Sequence, residues 1–260
     1  MGVLVGLVLA LTGAGGAIIA VPLLVFGLHL SMAEAGPVGL LAVALAAGTG
    51  AVLGWRSRIL RYRAAGLMAL AGGITSPLGI WAAQRVPNSP LTVVFALVLT
   101  IVAVRMLRQA WLEQHGVVQP AAHAPPCRLD PAMGRLRWNS TCAGALGLTG
   151  AAAGFLSGLL GVGGGFIIVP SLLAVSDLPM KAVVATSMGV LALVSVVGVV
   201  SASLGGHMQW HVGWPFAAGA LAGLLLGRGF AARLAGPRLQ QGFALVALAI
   251  AASLMLKVAA

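Results

Sequence analysis

The chain has 260 residues, of which 60% are hydrophobic and only 7% are charged, with fifteen Lys and Arg residues against four Asp and Glu. A soluble domain carries about 25% charged residues, so this chain lacks the side chains to cover a water-facing surface. That shortage excludes a soluble enzyme, a nucleic-acid binder and a disordered protein. The net charge of +11 reflects missing acids rather than a nucleic-acid partner. An integral membrane protein is the class that remains, with the lipid bilayer as its surroundings.

Apolar runs follow one another along the chain and predict an all-α polytopic membrane protein. A helix needs about 20 apolar residues to cross the hydrocarbon core, so most runs are long enough to span once. An open sheet would leave backbone amides unpaired in lipid, and the alternation of a membrane barrel is missing. The runs lie at about 3–28, 36–55, 64–84, 90–112, 141–175, 182–204, 212–232 and 239–259.

A polar segment, 113–139, separates an N-terminal region, 1–112, from a C-terminal region, 140–260. It contains charged residues and four prolines, which is typical of an aqueous linker.

Cys127 lies in this linker and Cys142 begins the next apolar run. Disulfide frameworks occur in short, secreted, cysteine-dense chains, so we predict two free thiols. No Lys or Arg precedes Glu34, so we expect no signal peptide.

The two regions read as homologous four-segment repeats. Residues 13–24, GAGGAIIAVPLL, resemble residues 161–172, GVGGGFIIVPSL, and the prolines Pro22 and Pro170 define an offset of 148. An internal repeat of this size in a membrane protein favours a transporter with its site at the repeat interface. Further residues match at the same offset: Met32 with Met180, Arg85 with Arg233 and Phe95 with Phe243.

The arginines favour inverted repeats over parallel ones, because Lys and Arg accumulate in cytoplasmic loops. If every run crosses the membrane once, ten basic residues lie on the cytoplasmic side and five on the outer side. If the first segment of each repeat enters and returns on one side, thirteen fall inside and only Arg85 and Lys257 remain outside. This arrangement predicts that linker 113–139 and loop 233–238 are cytoplasmic and that loop 205–211 is outside.

Each repeat begins with glycines followed by a proline, which predicts a helix that is broken inside the membrane. Irregular backbone at that depth is tolerated only beside protein or a water-filled cavity. Freed N–H groups at the start of a half-helix suit an anion, although close helix packing is the alternative role for such glycines. We predict substrate contacts at Thr12, Gly13, Gly15 and Gly16 in the first break and at Gly161, Gly163, Gly164 and Gly165 in the second.

Thr186 and Ser187 are the side-chain donors that we expect to complete this anion site. Hydroxyls in apolar helices usually bond their own backbone, but these two are adjacent and lie early in a run. A similar interruption is predicted at Thr75–Pro77, and Thr75, Ser76 and the Arg85/Arg233 pair are the next candidates. No Asp or Glu lies within a run, which disfavours a cation substrate or a carboxylate-coupled pump. No metal-ligand spacing, cofactor motif or catalytic set appears.

With these motifs in view, the chain resembles the TauE/SafE family of sulfite exporters and related sulfonate permeases. The resemblance rests on the repeated GxGGGxxxxP element, the two apolar halves and the polar linker, and the first copy departs from it in reading GAGGA. It implies a multi-pass protein of the cytoplasmic membrane that transports sulfite, a sulfonate or a related sulfur-containing or organic acid. The alternative is a membrane-embedded enzyme or a non-transporting accessory subunit. We predict a transporter rather than an enzyme.

Overall fold

The structure is a computed structural model, and it describes residues 1–12, 16–114, 126–130, 135–136, 138–234 and 237–259. Within these residues the chain forms ten α-helices and one short β-hairpin. The helices are α1 Gly2–Thr12, α2 Gly16–Gly27, α3 Met32–Arg56, α4 Tyr62–Arg85, α5 Asn88–Gln114, α6 Ser140–Leu160, α7 Gly165–Val175, α8 Met180–Leu204, α9 Trp210–Leu234 and α10 Pro237–Ala259. The hairpin pairs β1 Leu129–Asp130 with β2 Arg135–Leu136.

The architecture is all-α and multi-pass, as the apolar runs predict. Among the described residues, α3, α4, α6 and α8 are each long and apolar enough to cross a membrane. Large apolar side chains such as Leu70, Ile74 and Leu148 are exposed on the outer surface. An apolar surface of this kind suits lipid rather than water.

The predicted interruption at Thr75–Pro77 is wrong, because α4 runs through Pro77 without a break. Proline removes one backbone donor, but membrane helices tolerate it where hydroxyls and neighbouring helices supply other bonds. Here the Thr75 hydroxyl donates to the carbonyl of Ala151 on α6 at 2.7 Å. The helix is therefore held by a neighbour that the local sequence does not reveal.

Helix boundaries in the two regions keep the offset that separates Pro22 from Pro170. Met32 begins α3, and its counterpart Met180 begins α8. Likewise Tyr62 begins α4, and its counterpart Trp210 begins α9. Each region also starts with two helices that are separated by a glycine segment. The duplication of the sequence and the proposed limits of its repeats stay predictions.

The first helix of each region packs against a helix of the other region. Gly150 on α6 lies beside Met68 on α4, and Gly158 lies beside Ser76, so α4 and α6 run parallel in close contact. In the same way α1 runs parallel to α9, because Gly2 lies beside Phe216 and Gly6 beside Ala220. These contacts need glycine, since a Cβ at each position would collide with the backbone of the facing helix.

Antiparallel pairs complete the bundle and define its two ends. Gly54 near the end of α3 faces Ala185 near the start of α8. We call this end, which carries the loop 57–61, the arginine end. At the opposite end, which we call the Glu34 end, the Gln209 amide donates to the Glu34 carboxylate at 2.9 Å. Helices α6 and α7 enter and return at the arginine end, and α1 and α2 do so at the Glu34 end.

The two cysteines form a disulfide, so the prediction of free thiols is wrong. Cys127 and Cys142 are bonded and fully buried. The Cys127 N–H also donates to the carbonyl of Val175 at 2.9 Å, which fixes the end of the linker against the end of α7. The bridge therefore lies at the arginine end. Sequence spacing does not indicate it, because the contact depends on α7 returning to the side where α6 begins.

Candidate functional site

The segment between α6 and α7, which we call the second break, has a backbone that requires glycine. Gly161, Gly163 and Gly164 have φ angles of 69°, 72° and 69°, and side chains other than glycine rarely adopt such values. All residues from Leu160 to Gly165 are buried. The broken helix that the sequence predicts here is present, in the interior of the protein.

The start of α7 is buried and has no capping side chain. Gly164 occupies the N-cap position and offers no side chain to the helix. No backbone carbonyl among the described residues accepts a hydrogen bond from the N–H groups of Val162 to Gly165. Unpaired donors at a helix start carry a partial positive charge, so the second break is suited to an anion.

Helices from both regions surround the second break. A Cβ placed on Gly39 of α3 would lie 2.9 Å from the Gly161 carbonyl oxygen. A Cβ on Gly163 would lie 2.9 Å from Val43 of α3 and 3.3 Å from the Ser195 hydroxyl of α8. The side chains named here carry no charge, so the donors that this part of the structure offers are backbone N–H and hydroxyl groups.

Three serine hydroxyls near the second break have no hydrogen-bond partner in the part of the chain that the structure describes. Ser76, Ser157 and Ser195 are each 0% exposed, and none of the described residues offers their Oγ atoms a hydrogen bond. Most other hydroxyls in these helices bond the carbonyl three or four positions earlier, as Thr149 does with Ala145 at 2.9 Å. Burying a hydroxyl without a partner costs about 1–3 kcal/mol. A partner group from outside the chain would remove that cost.

The first break can be described only in part. Thr12 ends α1 and Gly16 begins α2. Gly13 and Gly15 lie outside the described residues. In the second break, Gly161, Gly163 and Gly164 form the turn and Gly165 begins α7. Their assignment as substrate contacts stays a prediction in both halves.

Thr186 and Ser187 are buried in α8 and already have partners. The Arg61 N–H donates to the Thr186 hydroxyl at 3.2 Å, and the Ser187 hydroxyl donates to the Val184 carbonyl at 2.8 Å. The α8 residues nearest to Gly163 are instead Leu191 and Ser195, one and two turns further along. The structure therefore does not bring the predicted donor pair to the turn of the second break, and its role in binding stays a prediction.

Sequence reasoning gives too little weight to the unpartnered serines. Ser76 is a second-choice candidate, Ser195 is one of several hydroxyls expected to bond their own backbone, and Ser157 is missed. A signal is present at the offset of 148, where Ser76, Ser157 and Ser195 correspond to Leu224, Leu9 and Ala47 in that order. Polar residues in one half that replace apolar residues in the other would have marked this set.

Known proteins resemble this chain along most of its length. A family model described as sulfite exporter TauE/SafE matches residues 1–254. A probable membrane transporter protein of Xylella fastidiosa (strain 9a5c) is 28% identical over 255 residues, 96% of this chain and 90% of the relative. The probable membrane transporter protein YunE of Bacillus subtilis (strain 168) is 26% identical and covers 87% of this chain and 85% of its own length. No solved structure matches the chain.

Proposed function

The chain belongs to the sulfite exporter TauE/SafE family of membrane transporters, and on that premise we propose that it carries a small anion across the cytoplasmic membrane. The substrates that we propose are sulfite, sulfonates and related sulfur-containing or organic acids. The observation that carries the proposal is the buried start of α7, where the N–H groups of Val162 to Gly165 have no described backbone acceptor. Such donors favour negative charge.

The energetics of dehydration support this use of the second break. An ion that leaves water loses hydration worth many kcal/mol, so unpaired burial is prohibitive. A hydrogen bond to a charged group contributes roughly 1.5–3 kcal/mol. Two or three such bonds correspond to dissociation constants from about millimolar to micromolar, which permit release. A buried Lys or Arg would hold the anion more tightly. The residues named above that contact the glycines of the turn include neither.

A liposome assay tests the proposal. The purified protein is reconstituted, and uptake of labelled sulfite, methanesulfonate and acetate is compared with uptake of rubidium and with protein-free vesicles. We expect at least one anion to enter above the protein-free level and rubidium to stay at that level. Absence of anion uptake for the whole panel, or transport of rubidium instead, would refute the proposed substrate class.

A matched pair of glycine variants tests whether the second break lies on the transport path. Gly164 and Gly206 have φ angles of 69° and 72°, so alanine strains both backbones alike. A Cβ on Gly164 would lie 2.5 Å from the Ala153 carbonyl oxygen, whereas a Cβ on Gly206 would meet nothing within 4 Å. We expect Gly164→Ala to abolish uptake and Gly206→Ala to keep it, at equal amounts of folded protein. Equal uptake by both variants would remove the second break from the transport path.

A further inference from the structure

We propose that Ser76, Ser157 and Ser195 bind the transported anion together with the start of α7, and that the protein has this one site rather than two equivalent half-sites. The proposal rests on the anion transport proposed above and adds the residues that would coordinate the substrate. Three observations support it, namely the missing partners of the hydroxyls, their position around the second break, and the apolar character of the corresponding positions in the opposite region.

The hydroxyls depart from the usual behaviour of serine in an apolar helix. Serine there bonds a carbonyl of the preceding turn, as Ser203 does with Val199 at 2.7 Å. Ser76, Ser157 and Ser195 are fully buried and make no such bond within the described chain. Each hydroxyl therefore keeps a donor that is free for a ligand.

Their positions surround the second break from different helices. Ser157 lies one turn before the break on α6, and its carbonyl accepts the Gly161 N–H at 2.8 Å. Ser195 on α8 has its Oγ 3.3 Å from where a Cβ on Gly163 would lie. Ser76 on α4 has its Oγ 3.5 Å from where a Cβ on Gly198 would lie, one turn beyond Ser195. Ser195 thus borders the turn whose N–H groups have no described backbone acceptor. Ser157 lies on the helix that leads into this turn, and Ser76 faces α8 one turn beyond Ser195.

The corresponding positions in the opposite region are apolar. At the offset of 148, Ser157 and Ser195 correspond to Leu9 and Ala47, and Ser76 corresponds to Leu224. All three counterparts are 0% exposed. Leu9 and Leu224 belong to one small hydrophobic cluster, and side chains of this kind offer no donor to an anion. The asymmetry indicates one binding site in a fold whose helix boundaries otherwise correspond.

Serine-to-alanine variants test this site with little risk to folding. Removing a buried hydroxyl without a partner leaves no other group unpaired, so Ser76→Ala, Ser157→Ala and Ser195→Ala should melt at or above the wild-type temperature. Each should raise the KM for sulfite or methanesulfonate roughly tenfold, which corresponds to one lost hydrogen bond to a charged group. The anion-dependent increase of the melting temperature should shrink in parallel.

Two partnered hydroxyls on the same helices serve as matched controls. Ser203→Ala on α8 and Thr149→Ala on α6 remove hydroxyls that bond their own backbone. We expect these controls to keep the wild-type KM and the wild-type anion-dependent stabilisation. The three serine variants should also lose part of the preference for sulfite over acetate, because three donors match the three oxygens of sulfite better than the two of a carboxylate.

The outcomes separate this proposal from the proposed function. If the wild-type protein takes up no anion, the proposed function fails and the serine assignment fails with it. If the wild type transports sulfite and the serine variants keep the KM of the controls, anion transport stands and the serine site is refuted. A shift in KM that is as large in Ser203→Ala and Thr149→Ala would also refute it, because the effect would then be a general loss of packing.

Discussion

Replacing Gly150 by alanine is expected to separate α4 from α6, and Gly147 on the same helix provides the control. A Cβ on Gly150 would lie 2.5 Å from the Met68 carbonyl oxygen and 2.6 Å from the Met68 Cα, whereas a Cβ on Gly147 would meet nothing within 4 Å. Carbon atoms pack at about 3.5–4.0 Å, so the helices must move apart by about 1 Å. That movement also stretches the 2.7 Å bond from the Thr75 hydroxyl to the Ala151 carbonyl.

The expected difference in stability between the two variants follows from these contacts. Overpacking costs about 1–3 kcal/mol, and the lost hydrogen bond costs about 0.5–1.5 kcal/mol. Both variants gain about 1 kcal/mol from replacing glycine by alanine inside a helix. That gain cancels in the comparison, so Gly150→Ala should be less stable than Gly147→Ala by about 1.5–4.5 kcal/mol. For a chain of this size, the middle of that range corresponds to about 6–12 °C in melting temperature.

Thermal unfolding of the purified proteins in detergent, followed by near-ultraviolet circular dichroism, measures this difference. The wild type should melt between the two variants, because Gly147→Ala gains helix propensity without a collision. The reasoning is refuted if Gly150→Ala melts within about 1 °C of Gly147→Ala or above it. The close approach of the α4 and α6 backbones would then be absent from the protein.

Two further predictions concern the ends of the bundle. We predict from the distribution of Lys and Arg that the arginine end faces the cytoplasm. With Ser57→Cys and His207→Cys in a background without Cys127 and Cys142, an impermeant maleimide applied outside cells should therefore label only position 207. Labelling at position 57 alone would reverse the orientation. The Cys127–Cys142 bridge closes a sequence separation of 15, so reducing it in the purified protein should lower the free energy of unfolding by about 3 kcal/mol. Thermal unfolding at the same temperature with and without reductant would show that the bridge does not stabilise the fold.

The helical architecture and the second break are predictable because their causes are local. Apolar length predicts the helices, and glycines before Pro170 predict a backbone that other residues cannot adopt. The arginine distribution favours hairpins that enter from opposite sides. These signals lie in neighbouring residues or in a bulk property of the loops, so they can be read without knowing any contact between distant helices.

The disulfide, the continuity of α4 and the unpartnered serines depend on distant contacts. Cys127 meets Cys142 because the linker end pairs with Val175, and α4 continues through Pro77 beside a carbonyl of another helix. Ser195 makes no bond to its own backbone among the described residues, and its Oγ lies beside the second break, which joins helices far from it in sequence. Residue type alone favours the backbone bond for any one hydroxyl, and sequence reasoning selects Thr186 and Ser187 because they are adjacent and lie early in a run.

The exchange of partners between the two regions has a consequence for synthesis of the chain. The glycine surface of α1 pairs with α9, which is complete only when Leu234 has been added, whereas α1 itself ends at Thr12. At about 5–20 residues per second, α1 remains unpaired for roughly 10–40 s while the ribosome continues. Helix α4 stays without its partner α6 for a shorter time, while the residues from Arg85 to Leu160 are added. The N-terminal region therefore cannot finish its packing before the C-terminal region is made, and a ribosome that stalls in the linker leaves both glycine surfaces open to lipid or to chaperones.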